Sequence, residues 1–188
     1  RTYNGLVPGP TIRVRAGSNR KVRIDLHNRF TSVDGREVSG QEGREEPSCH
    51  DFNTTNLHFH GGHVQPNFAT VDPAMPCMGD GCGDGGRFYG DNVLITVSQG
   101  MMARYRWDLD EDGTHHEGTD WYHPHTHGST AIQVINGVAG AFIVEGALDA
   151  EPSVAATRER VMVLNEIPLR HETTVAMRDG DTCTERNL

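Results

Sequence analysis

The chain of 188 residues has a single lysine, Lys21, and only 6% aromatic residues. Its formal net charge is −9 with histidine neutral. That acidic balance argues against the basic footprint that binding to nucleic acid requires. No apolar run approaches the roughly 18 residues that would cross a bilayer as a helix, and no signal-peptide apolar core is present. Cysteine is sparse, and its four residues permit three disulfide pairings. At this length one domain, with part of a second, is the natural expectation. Against these shortages stands one excess: 11 histidines.

The prevailing hydrophobic period is two, the period of a strand. Ile12 and Val14 alternate with Arg13 and Arg15; Val22, Ile24 and Leu26 with Arg23, Asp25 and His27; Ala103, Tyr105 and Trp107 with Arg104, Arg106 and Asp108. Val93–Val97 and Ala141–Val144 are short apolar runs suited to a sandwich core. Clusters of Gly, Pro, Asn and Asp separate them, where the backbone can turn. This spacing predicts an all-β sandwich or barrel. Residues 31–52 and 72–87 read as long loops. Residues 129–136 read as one or two helical turns with Ala131, Val134 and Ile135 on one face. Residues 147–159 read as a linker, and Arg160–Ile167 as a fresh strand opening a second, incomplete unit over 160–188. The chain opens without methionine and closes without a terminating element. We read this as a removed or omitted targeting segment and a truncated C-terminus.

The sharpest features are two histidine pairs. In Asn56-Leu57-His58-Phe59-His60-Gly61 the apolar Leu57 and Phe59 alternate with two imidazoles; in Trp121-Tyr122-His123-Pro124-His125-Thr126-His127-Gly128 the pattern returns. On a strand, alternate side chains share a face. Residues at i and i+2 lie about 6.5–7 Å apart along the chain, whereas metal–nitrogen bonds are only about 2 Å long. Each pair therefore suits two different ions better than the chelation of one, and two such strands side by side would offer four imidazoles to a cluster. Imidazole suits copper, zinc, iron and nickel. No carboxylate is interleaved, which disfavours a hard-ion site or a non-haem iron triad. The reading is a metal site through His58, His60, His123 and His125.

HFHG together with WYHPHTHG resembles the first two copper-binding motifs of the multicopper oxidases, the laccase-like family. The segments 8–17, 137–144 and 160–168 resemble, in turn, the family's opening strand, the segment after its second motif and the start of its next cupredoxin domain. The HPHTHGST form is similar to that of bacterial periplasmic oxidases. The resemblance implies a cupredoxin-like Greek-key β-sandwich over 1–146. It also implies copper roles: His58 for a type 2 copper, His60 and His123 for one type 3 copper, and His125 for the other. Family chemistry would then be reduction of dioxygen to water with electrons from phenols, aromatic amines or metal ions. The export this implies is periplasmic or secreted.

The family's type 1 copper needs a Cys thiolate with two histidines, and no such constellation surrounds Cys49, Cys77, Cys82 or Cys183. The resemblance implies that this chain carries half of a trinuclear site, that a later cupredoxin domain completes it, and that the chain alone is inactive. Two rival readings stand beside this: a non-catalytic copper-handling module, and a copper nitrite reductase-like protein.

Cys77 and Cys82 flank a glycine-rich turn. They fit a local disulfide or plain loop, or else a cuprous-ion site with Met75 and Met78. His63 and His127 follow the pairs closely and read as neighbours of the ligands or of a substrate rim. Asp91 or Asp120 could hold a ligand imidazole in one tautomer. His115 and His116 read as solvated, His27 and His171 carry no signal, and Trp107 and Trp121 read as core. The Arg13, Arg15, Arg20 and Arg23 series reads as a solvated strand face.

Overall fold

The computed structural model describes residues 1–15, 20–30, 53–66, 88–109 and 115–167, and the backbone of 174–179 and 182–187. The two long loops expected over 31–52 and 72–87 lie outside the described residues, as do Cys49, Cys77 and Cys82. Among the described residues no helix is long and apolar enough to cross a membrane.

The alternating segments become strands. They are β1 (Ile12–Val14), β2 (Lys21–His27), β3 (His58–His60), β4 (Met102–Asp108), β5 (Gly118–His123) and β6 (Gly140–Val144). One sheet has the order β1-β6-β5-β3, and β2 pairs with β4 in a second. The β1–β6 pairing is parallel and the other pairings in these two sheets are antiparallel. Parallel neighbours need a long crossover, which here is everything between Val14 and Gly140.

The core lies between the sheets. Phe59 of β3 meets Trp107 of β4 at 5.0 Å and Phe142 of β6 at 4.1 Å between ring centroids. Leu26, Leu57, Tyr105, Tyr122 and Val144 join the same cluster. Complete burial of each large apolar side chain stabilises the fold by about 1.5–3 kcal/mol. The fold is the all-β sandwich expected, and Trp107 is core as expected. At Gly140, paired with Tyr122, any side chain would collide with the tyrosine ring. The Tyr122 hydroxyl meanwhile donates to Pro10 O at 2.6 Å.

Several expectations need correction. Val93–Val97 is not a core strand: only Val97 is buried, through an isolated bridge to Thr55, and Leu94 is 87% exposed. The run carries no alternation, so apolar content alone misled. The helix exists as α1 (Thr130–Ile135), but its buried residue is Gln133, whereas Ala131 and Ile135 face solvent. Gln133 is held inside by hydrogen bonds: its Oε1 accepts from the Thr55 hydroxyl and its Nε2 donates to Thr54 O, both at 2.7 Å. The linker region contains a 3-10 turn (Leu148–Ala150) and a short α2 (Pro152–Ala155), both exposed. Residues 160–167 form no strand; among the described residues nothing pairs with them. Beyond them, β7 (Thr174–Asp179) and β8 (Thr182–Asn187) form an antiparallel hairpin, which the strand reading of this region did not resolve. Cys183 lies on β8.

Candidate metal centre

The β3–β5 register pairs Phe59 with Tyr122 and, one residue earlier, His58 with His123. Alternation then separates two faces. Phe59 and Tyr122 enter the core, while His58, His60 and His123 share the opposite face. His125 follows Pro124, where β5 has ended; proline has no N–H for the ladder.

The structure brings the four imidazoles together. The His58 ring lies 5.2 Å from that of His123 and 5.0 Å from that of His125, both edge-on. The His60 and His123 rings are 5.4 Å apart, with His60 Nδ1 only 3.2 Å from His123 Nε2. One donor atom from each of His58, His60 and His123 lies within 4.8 Å of the others. Two nitrogens on one four-coordinate ion, with bonds of about 2.0 Å at the tetrahedral angle, stand about 3.3 Å apart. The His60–His123 pair already has that spacing, and the donor set fits a copper ion.

Neighbouring groups set the tautomers. Asp91 presents its carboxylate oxygens at 2.9 and 3.1 Å from His58 Nδ1. A carboxylate only accepts, so Nδ1 carries the proton and Nε2 keeps its lone pair. The same Asp91 accepts the Phe59 N–H at 2.8 Å, which ties it to both faces of β3. His123 Nδ1 donates to Pro124 O at 2.8 Å, leaving Nε2 turned to His60. Burial lowers the His123 pKa to about 4, with the imidazoles of His58, His60 and His125 acting in the same direction and the bond to Pro124 O against them. His123 is therefore neutral at neutral pH, as a ligand must be.

Trp121 corrects another expectation. It is 39% exposed and stacks on His60 at 4.8 Å and on His123 at 4.1 Å, walling the cluster instead of filling the core. Of the two candidate tautomer-setting aspartates, Asp91 serves His58, while Asp120 lies 3.1 Å from His116 Nε2. His125 and His127 are both exposed and both lie outside the His58–His60–His123 group, but the His125 ring stands 5.0 Å from that of His58. His115 is not solvated: it is 5% exposed and stacked on Phe59.

Asn56 was missed at the sequence level. Fully buried, its Nδ2 donates to Val93 O at 2.9 Å and Ile95 O at 3.0 Å, and its Oδ1 accepts the His125 N–H at 2.6 Å. It positions His125 beyond the end of the ladder. A buried polar residue just before an apolar–histidine alternation was the available signal.

Comparison with known proteins agrees with the motifs. Residues 86–149 match the multicopper oxidase family model. A laccase from Bacillus stratosphericus is 27% identical over 154 residues, covering 79% of this chain and 25% of that protein. A multicopper oxidase from Staphylococcus haemolyticus is 28% identical over 143 residues, 76% of this chain and 21% of that one. A solved multicopper oxidase from Campylobacter jejuni, described as a metallo-oxidase, is 27% identical, with a TM-score of 0.46 over 78% of this chain and 21% of that one. The chain spans a quarter or less of the length of these curated relatives. The family match and the curated relatives agree with the motifs: the chain is similar to multicopper oxidases of the bacterial, laccase-like type.

Proposed function

We propose that this chain is the copper-binding N-terminal part of an oxidase that passes electrons from one-electron donors to dioxygen. The donors would be phenols, aromatic amines or metal ions. The observation that carries the reading is the gathering of His58, His60 and His123 on one face of the β3–β5 ladder with the His125 ring beside them, and with His60 Nδ1 and His123 Nε2 at the spacing of two ligands to one ion. In this reading His58 holds a type 2 copper, His60 and His123 one type 3 copper, and His125 the other. Bound copper would supply the one-electron steps that reduce dioxygen. The chain's own residues orient and exclude: Asp91 and Pro124 O fix which ring nitrogens are free, Asn56 places His125, and Trp121 covers two of the rings.

The same reading assigns 1–146 to one cupredoxin-like domain, 147–159 to a linker, and 160–188 to the start of a second. Met162 and Leu164, 79% and 94% exposed, support this, because an apolar segment left open fits a surface meant to be covered by further chain. A later domain would bring the remaining cluster ligands and the type 1 copper. An exported, periplasmic or secreted location accompanies the proposal, on the bacterial laccase-like type of the relatives.

The test is copper stoichiometry on the purified, reconstituted chain. Changing His58, His60, His123 and His125 together to Ala is expected to abolish the bound copper that the unaltered chain retains. Equal copper in both would sink the ligand assignment. With a phenolic donor, the chain alone is expected to consume no oxygen; turnover by the chain alone would overturn the half-site reading.

A further inference from the structure

A second group of donors lies on the other face of the same strands. On β5, Asp120 alternates with Trp121 and His123, so it shares the core-side face with Tyr122. His115 and His116 immediately precede this strand, and one donor atom from each of His115, His116 and Asp120 lies within 4.8 Å of the others. The His63 ring stands 5.7 Å from His115 and 5.4 Å from His116. Gly61, at φ +94°, makes the turn out of β3 directly over the Asp120 carboxylate, where any side chain would collide with it. That turn leads the backbone on to His63.

Two atoms of this group lack partners that their burial demands. His115 Nδ1 donates to His116 O at 2.8 Å, because a carbonyl only accepts; its Nε2 therefore carries a lone pair. Among the described residues that nitrogen is buried without a hydrogen-bond partner, and so is Asp120 Oδ2. The His115 side chain is fixed in place, stacked on Phe59 at 5.3 Å with the rings 10° apart. Its residue is 5% exposed, and the Asp120 side chain is 9% exposed. Leaving a buried acceptor unpaired is costly, and a bound cation would supply the partner that each of these two atoms lacks. An imidazole that donates one N–H to a backbone carbonyl while its other nitrogen is free has the arrangement common among metal-bound histidines.

We propose that His115, His116 and Asp120, with His63 as fourth donor, form a second metal site that takes one divalent first-row transition ion such as Zn²⁺. Three imidazoles and one carboxylate suit such an ion in four-coordinate geometry. The site is separate from the four-histidine cluster, since the β3–β5 ladder lies between them. An ion there ties the turn after β3 to the start of β5, the two strands that carry the histidine pairs.

The test uses the chain with His58, His60, His123 and His125 changed to Ala, dialysed against Zn²⁺ and assayed for bound metal. One Zn²⁺ per chain is expected to remain. Adding His116→Ala, at an exposed position, is expected to remove it without changing the circular dichroism spectrum. Adding Asp120→Asn instead is expected to weaken it about tenfold or more. A folded background variant that binds no Zn²⁺ would overturn the proposal, as would one whose Zn²⁺ is indifferent to both added changes. If the background variant does not fold, His116→Ala and Asp120→Asn are made in the unaltered chain. Loss of one Zn²⁺ from the total then supports the site, and an unchanged total overturns it.

Discussion

The two faces of the β3–β5 ladder share one backbone and differ in everything else. On one face Phe59 and Tyr122 lie opposite each other and are sealed in the core. On the other, His58 lies opposite His123, with His60 and Trp121 next in register. A slip of one residue would carry the imidazoles into the core and the phenyl ring into solvent. The core therefore holds the register, and the register aligns the histidines. The apolar face constrains the metal face without contributing a single ligand to it.

The most severe test of this dependence is to cut the apolar face. Phe59→Ala removes a fully buried ring in contact with Trp107 and Phe142. The expected cost is about 3–5 kcal/mol, read as a drop in the urea midpoint with the slope unchanged. Copper capacity is expected to fall in step with the folded fraction, although no ligand has been touched. Retention of full copper binding by the unfolded chain would separate the two faces and defeat the argument. Next in size is Asn56→Ala. It leaves the Val93 and Ile95 carbonyls and the His125 N–H without their partner, a loss of about 2 kcal/mol. It also frees His125, so copper binding is expected to weaken even in conditions where the variant is fully folded.

What was legible in the sequence follows from the same physics. Strands β2, β4 and β6 could be read because strict alternation or a short apolar run is what a sandwich interior demands of a chain, and the histidine pairs could be read because they ride on that alternation. The misreadings occur where tertiary context overrides local pattern. Gln133 is buried because Thr54 and Thr55 satisfy its amide, and no helical periodicity encodes a partner 79 residues away. Trp121 looks like core by type, yet its place one residue from Tyr122 puts it on the histidine face. His115 sits among acidic and glycine residues in sequence, and only folding stacks it on Phe59. Residues 160–167 carry apolar strand character but find no ladder among the described residues, and a strand needs a neighbour as well as a pattern.

A gentler probe leaves the ladder intact and alters only what orients it. Asp91→Asn keeps an oxygen for the Phe59 N–H but removes the carboxylate that holds the His58 proton on Nδ1. Copper affinity at that position is expected to fall about 10- to 100-fold, measured by competition with a chelator. Stability is expected to change much less than in Phe59→Ala. An equal loss of stability would mean that Asp91 serves the core more than the metal face.

The smallest effect is expected at His127. By spacing alone, His123, His125 and His127 form one continuous series. The ladder stops at His123, however, and Pro124 can add no N–H to extend it. His125 is retained near the cluster because Asn56 accepts its backbone N–H and its ring meets that of His58. The chain then turns: the Ser129 and Thr130 N–H groups both return to Thr126 O, and α1 begins. Once the backbone leaves the extended form, a spacing of two no longer specifies a shared face. His127→Ala is therefore expected to leave copper stoichiometry unchanged and to alter stability by less than about 0.5 kcal/mol, while His125→Ala lowers the copper bound. Equal losses from the two changes would show that period two extends past the end of the ladder, and that the hold of Asn56 on His125 is not what distinguishes it from His127.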